Sequence, residues 1–268
     1  DIAQGGEAVR ITTLATGASA PRFSPDGRTL LFTSNVYPEA ADEEANRKIA
    51  ADRKARKYSA RVFDGFPIRY WDQWVSETRP HLFVQPAEPG AKARDLLAGT
   101  RLAASRGYGG RPTTGTGGSG EALDAEWAPE GGTIVFVATT DRDAGAYSFP
   151  VYRIYRLPLL GGEPEQLVRD AASYSSPTFA PDGKSLYALR QEHGKRVYAL
   201  TRLARLSWPA AGSVEVLTAA LDRSVENFAV SGESVYFTAE DAGQVRLYAY
   251  AGGAARPLGQ PAGGVYSG

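Results

Sequence analysis

Phe23-Ser24-Pro25-Asp26-Gly27 runs into Thr29-Leu30-Leu31-Phe32-Thr33, and the same plan returns three more times along the chain. Trp127-Ala128-Pro129-Glu130-Gly131 leads into Thr133-Ile134-Val135-Phe136-Val137, and Phe179-Ala180-Pro181-Asp182-Gly183 into Ser185-Leu186-Tyr187-Ala188-Leu189. Phe228-Ala229-Val230-Ser231-Gly232 leads into Ser234-Val235-Tyr236-Phe237-Thr238. In Pro-Asp-Gly, proline presets φ, the Asp side chain caps the turn, and glycine accepts φ > 0. Placed between two apolar runs, such a turn joins antiparallel strands in a hairpin. The aromatic closes the first strand, and the apolar run after the turn reads as an inner strand.

A second half-unit follows each first one. His81-Leu82-Phe83-Val84, Val151 through Leu157, Arg196-Val197-Tyr198-Ala199-Leu200 and Val245 through Tyr250 read as third strands. Three of the four alternate apolar with polar residues, as a half-exposed strand does. Gly161-Gly162 and Gly252-Gly253 then turn into short outer strands ending near Leu167 and Leu258. Four strands per repeat make the blade of a β-propeller.

The aromatics at Trp127, Phe179 and Phe228 stand 52 and 49 residues apart, at or just above the 40–50-residue range of propeller repeats. Phe23 and Trp127 are 104 apart with no second Pro-Asp-Gly between them, which predicts one blade with a large insertion. A β-sandwich with unrelated turns would not place four such units in register. The expected fold is therefore all-β: about four blades of a seven- or eight-bladed ring, with Ile11-Thr12-Thr13-Leu14 as a preceding outer strand.

The insertion occupies about residues 38–80. Glu39 through Lys54 is rich in Ala, Glu, Lys and Arg, acidic first and basic later, which suits a helix dipole and predicts a surface helix after Pro38. Val62-Phe63-Asp64-Gly65-Phe66-Pro67-Ile68-Arg69-Tyr70-Trp71-Asp72-Gln73-Trp74 follows, with two of the four tryptophans. Aromatics clustered beside Arg69 and Asp72 on an inserted loop suit a binding surface. They equally suit a pin that fastens the insertion to the propeller face, with Arg69 pairing Asp72. Residues 105–120, rich in Gly and Thr, lack the Lys-Ser/Thr ending of a phosphate loop and read as a flexible inter-blade linker.

Composition narrows the function. At 43% hydrophobic and 10% aromatic, the 268 residues can bury a real core. Thirty basic residues balance thirty acidic ones, so no whole-molecule field attracts nucleic acid or an anionic membrane, and neither partner is expected. No stretch approaches the roughly 18 apolar residues of a membrane span. Cysteine is absent, which excludes disulfides, thiolate metal sites and cysteine nucleophiles. Methionine is absent too, and Gly263 through Gly268 resemble the opening of another strand, so the chain reads as a piece of a longer protein.

Catalytic machinery is missing from the pattern. The two histidines, His81 at a strand start and His193 in a hairpin turn, have no converging ligands, so both are expected to be structural or solvent-exposed, and no metal or cofactor is expected. Gly117-Gly118-Ser119-Gly120-Glu121 and Gly232-Glu233-Ser234-Val235-Tyr236 both fail the last position of a Gly-x-Ser-x-Gly elbow. Carboxylate pairs such as Glu43-Glu44 or Asp141 with Asp143 read as solvation. No catalytic residue is assigned.

Ala20 through Gly27 and Leu31-Phe32-Thr33-Ser34-Asn35-Val36-Tyr37-Pro38 resemble the propeller of bacterial dipeptidyl and acylaminoacyl peptidases of the prolyl oligopeptidase family. Arg69 through Trp74 followed by His81 through Val84, and Val235 through Asp241, are similar to the same subgroup. TolB-type propellers share the Pro-Asp-Gly hairpins; the Tyr-Trp-Asp insertion is more specific to the peptidases. The resemblance implies a serine exopeptidase for short peptides whose C-terminal α/β-hydrolase domain, holding Ser, Asp and His, lies outside this chain. It implies that the propeller gates access, and that Arg69, Tyr70, Trp71 and Asp72 contact substrate or the hydrolase domain. It places the protein in the bacterial periplasm or cytoplasm and leaves homo-oligomerisation open. The alternative is a non-catalytic interaction module like TolB or WD-repeat propellers.

Overall fold

The computed structural model describes residues 7–63, 65–70, 73–113, 120–194 and 198–259. Strands β1 (Ser19–Phe23) and β2 (Thr29–Val36) flank the first Pro-Asp-Gly turn. Helix α1 (Glu43–Lys54) and a small hairpin of β3 (Arg69–Tyr70) and β4 (Gln73–Trp74) come next, before β5 (Arg79–Pro86) and β6 (Arg94–Asp95). A second small hairpin, β7 (Arg111–Thr113) with β8 (Gly120–Ala122), precedes β9 (Glu126–Trp127), β10 (Thr133–Ala138), β11 (Arg153–Pro158) and β12 (Glu165–Gln166). Then come β13 (Ala172–Phe179), β14 (Ser185–Glu192), β15 (Thr201–Ser207) and β16 (Val214–Val216). The last four are β17 (Phe228–Ser231), β18 (Ser234–Asp241), β19 (Gln244–Ala251) and β20 (Ala254–Pro257). They form four antiparallel four-stranded sheets, β1-β2-β5-β6, β9-β10-β11-β12, β13-β14-β15-β16 and β17-β18-β19-β20. One sheet arises from each repeat unit, and each has the strand order of a propeller blade.

The apolar runs after the turns are continuous because both faces of each second strand are covered. In β10, Ile134, Phe136 and Ala138 join Leu31 and Leu82 of the first sheet in one core, while Val135 and Val137 meet Tyr174, Leu186 and Ala188 of the third. In β14, Tyr187 and Leu189 turn the other way, towards Val235, Phe237 and Ala239 of the fourth sheet. The second and third sheets thus each share one core with the sheet before and another with the sheet after. The glycines that close the four turns, Gly27, Gly131, Gly183 and Gly232, have φ between 59° and 71°, the left-handed region the turn chemistry requires.

Three expectations are corrected. The third strand of the third unit is Thr201–Ser207 rather than 196–200: Leu203, Ala204 and Leu206 supply the buried positions, whereas Tyr198 is 93% exposed and Arg196 and Val197 lie outside the described residues. Residues 11–14 form no strand; Leu14 and Ile11 instead cover Leu30, Phe32 and Phe83 on the outer face of the first sheet, and Gln85 Nε2 donates to the Ile11 carbonyl at 2.9 Å. Residues 105–113 are packed structure rather than a linker. Tyr108 is fully buried, and a Cβ on Gly107 or Gly110 would lie 1.9 Å from the Thr140 carbonyl oxygen or 2.5 Å from that of Ala122. Residues 114–119 lie outside the described residues.

Candidate functional site

Between β2 and β5 the insertion builds a raised wall. Asp42 caps α1, its Oδ1 accepting from the Ala45 amide at 2.8 Å, and Glu43 and Glu44 open the helix while Arg53 and Lys54 close it. Asn46, 1% exposed, fastens the helix to the sheet: its Oδ1 accepts from the Tyr37 amide at 3.0 Å, and its Nδ2 donates to the Asn35 carbonyl at 3.3 Å. Arg53 pairs with Glu39 at 2.9 Å and with Glu77, and its guanidinium lies 4.8 Å over the Tyr37 ring.

The aromatic segment folds back on itself. In the small hairpin Arg69 stands opposite Trp74, and Tyr70 opposite Gln73. Phe63 stacks on Trp74 at 6.0 Å, while Tyr58, Val62 and Phe66 are all more than half exposed. Arg69 is exposed. Trp71 and Asp72 lie outside the described residues, so the structure brings Arg69 to Trp74 and does not describe an Arg69–Asp72 pair. A 3-10 turn, Arg142–Ala146, rises from the neighbouring sheet beside this wall, and Arg142 Nη2 donates to the Ser76 carbonyl at 3.3 Å.

Arg142 also belongs to a buried ion pair that the sequence did not reveal. Its Nε lies 3.0 Å from Glu121 Oε1, with the two side chains only 4% and 8% exposed. Glu121 Oε2 accepts from the Gly110 amide at 2.9 Å. Burial nonetheless raises the Glu121 carboxyl above its ordinary range, against the pull of Arg142 and the Gly110 amide. A second pair concerns His81. Its Nδ1 lies 2.7 Å from Asp95 Oδ2, Tyr108 meets the ring edge-on, and Asp95 Oδ1 accepts from the Leu97 amide at 2.8 Å. This pair ties strand β5 to the chain leaving β6. His193 is exposed in its turn. Among the described residues no group of three or more His, Cys, Asp or Glu side chains could hold a metal ion. No helix among them is long and apolar enough to cross a membrane.

Three of the cavities among the described residues bear on this region. One, of about 710 Å3, runs along the first strands of three successive sheets and is lined by Arg22, Glu121, Asp124, Glu126 and Ser176. Ala20, Asp124 and Ser176, each three residues before its unit's aromatic, have φ of 49°, 43° and 52°. The strand bulges at Ala20 and at Ser176, and Asp124 Oδ2 accepts from Arg111 Nε at 2.8 Å and from the Ser176 amide at 3.2 Å. A second cavity, about 910 Å3, lies between Tyr147, Phe149, Arg111, Glu192 and Glu226. The third, about 790 Å3, lies inside the insertion wall.

Glu126 gives a pH test of the first cavity. Burial raises its carboxyl above the ordinary range, opposed by Arg22 3.7 Å away. The folded state therefore binds the proton more tightly than the unfolded state. The stability this group contributes is full below the unfolded value, about 4.3, and is lost as pH rises through the folded one. Glu126→Gln removes that loss, so the melting temperature at pH 7 should rise relative to that at pH 4. Paired thermal melts check this, and an unchanged difference would refute it.

Comparison with solved structures finds the same fold in larger proteins. The acylaminoacyl peptidase of Pyrococcus horikoshii matches at a TM-score of 0.57 and 16% identity, over 91% of this chain and 32% of that one. A puromycin-hydrolyzing peptidase of Mycobacterium tuberculosis matches at 0.53 and 13% identity, over 94% and 30%. A putative TolB from Agrobacterium tumefaciens aligns at 0.46 and 17% identity, over 90% and 80%, too low a score to carry the fold. The chain thus spans about a third of the length of the two peptidases. No protein-family model matches it, and no curated protein does. The class defined here is a protein of repeated four-stranded blades, with the fold found in part of these peptidases.

Proposed function

We propose that this chain is the propeller portion of a serine exopeptidase of the prolyl oligopeptidase type, which cleaves short peptides with a triad carried on an α/β-hydrolase domain. The observation that carries the reading is the match over 91% of the chain to part of an acylaminoacyl peptidase, at a TM-score of 0.57. The four sheets are then four blades of a seven- or eight-bladed ring that gates access. The exposed aromatic wall of the insertion, on the side where second strands give way to third strands, faces the substrate or the hydrolase domain through Arg69, Tyr70, Trp71 and Asp72. A bacterial periplasmic or cytoplasmic location goes with this reading.

The gene decides first. A reading frame that continues past Gly268 for roughly 250 residues and includes Gly-x-Ser-x-Gly supports the peptidase; a stop after a few more blades supports a non-catalytic interaction propeller instead. In the intact enzyme, Trp71→Ala and Asp72→Ala should each lower kcat/KM for dipeptide substrates by about tenfold, a loss of about 1.4 kcal/mol of transition-state binding. Unchanged kcat/KM in both variants would remove these residues from the site.

A further inference from the structure

The three cavities differ in charge. Glu121, Asp124 and Glu126 outnumber Arg22 in the first, and Glu192 and Glu226 outnumber Arg111 in the second. The cavity in the insertion wall reverses this balance, with Arg53, Arg56, Arg79, Arg106 and Arg142 facing three carboxylates, Glu39, Glu77 and Asp143. Glu121, behind the wall, pairs with Arg142, so among the described residues five guanidiniums meet four carboxylates.

The arginines are not equally committed. Arg53 already holds Glu39 and Glu77, and Arg142 holds Glu121. Arg56 lies 5.8 Å over the Tyr58 ring, a contact that does not neutralise its charge. Among the described residues Arg106, with its side chain 80% exposed, pairs with the half-exposed Asp143 at 3.2 Å. Beside these two cations the cavity is walled by Tyr58, Phe63 and Phe66, of which Tyr58 is 63% and Phe66 59% exposed. Large aromatics left in water next to guanidiniums form a surface that an amphipathic anion would cover. The volume of about 790 Å3 is that of a small-molecule site.

We propose that this cavity binds a carboxylate-bearing molecule with an aromatic or aliphatic body, Arg56 and Arg106 holding the carboxylate and Tyr58, Phe63 and Phe66 the body. A guanidinium offers a carboxylate two parallel N–H donors, which an uncharged amide cannot match. The proposal needs no catalytic domain and stands or falls separately from the peptidase reading.

Calorimetric titration of the full chain with 3-phenylpropionate, and with Ala-Ala-Phe as free acid and as C-terminal amide, tests it. The acid is expected to bind at least about tenfold more tightly than the amide, and less tightly as salt is added. Arg56→Gln combined with Arg106→Gln should weaken acid binding by about tenfold or more, with thermal melts confirming that the variant folds. Asp143→Asn should instead tighten it, because Arg106 loses its competing partner, an effect that a merely structural role would not produce. Phenylpropionate binding as tightly as the tripeptide acid assigns a small carboxylate ligand, and a tighter tripeptide assigns a peptide C-terminus. Equal affinity for acid and amide, an unchanged double variant, or no binding of any probe overturns the proposal.

Discussion

Replacing Arg142 by methionine is expected to destabilise the fold by about 3–5 kcal/mol, because it strands the Glu121 carboxylate in a buried site. Arg142 and Glu121 are 4% and 8% exposed, and Arg142 is the strongest influence holding the Glu121 carboxyl down against burial. Without it the Glu121 carboxyl rises further, so the variant recovers stability as pH falls and the carboxyl takes up a proton. Adding Glu121→Gln to Arg142→Met removes the stranded charge and keeps an acceptor for the Gly110 amide. The double variant should therefore be more stable at pH 7 than the Arg142→Met single variant. Denaturant unfolding of the single and double variants measures this; a double variant that loses the sum of the two single losses would show that the groups act independently.

The second large effect contrasts two residues at the same place in the repeat. Trp127 is 4% exposed within the core between the first two sheets, and its indole Nε1 donates to the Arg22 carbonyl at 3.2 Å. Trp127→Ala should cost about 3–5 kcal/mol through the cavity it leaves. Trp127→Phe keeps most of the volume but orphans the Arg22 carbonyl, and should cost about 1–2 kcal/mol. Phe23, its equivalent in the first unit, is 60% exposed, so Phe23→Ala should change stability by about 0.5 kcal/mol or less. Urea midpoints at constant slope rank the three. A Phe23→Ala loss as large as that of Trp127→Ala would mean that Phe23 is covered in solution.

The repeat was legible because its signals are local. A turn needs Pro, Asp and Gly at fixed offsets, and a strand covered on both faces must be apolar at every position, as Ile134 through Ala138 are. The helix was legible for the same reason, its charge order lying within a dozen residues. The site was less so. Arg142 reaches Glu121 and Ser76 across 21 and 66 residues, and His81 meets Asp95 through sheet pairing, so no spacing rule connects them. The third strand of the third unit lies later than its sequence suggests because Arg196 through Leu200 is apolar at four of five positions, whereas Thr201 through Ser207 carries two arginines. Only the cross-strand register, Leu203 opposite Leu189, separates the two segments. Glycines 107 and 110 read as flexibility by composition, whereas the fold uses them for backbone contact too close for any side chain.

The sharing of each core between two successive sheets makes the chain behave as a row of coupled links rather than as one block. The second and third sheets are clamped from both sides, and the first is clamped on one side and lined by Leu14 and Ile11 on the other. Among the described residues the fourth sheet meets the third through Val235, Phe237 and Ala239, with Tyr236 39% exposed. Opening the second or third sheet therefore disrupts two shared cores at once. Amide hydrogens should accordingly exchange slowly in β10 and β14, whose successive residues enter two different cores.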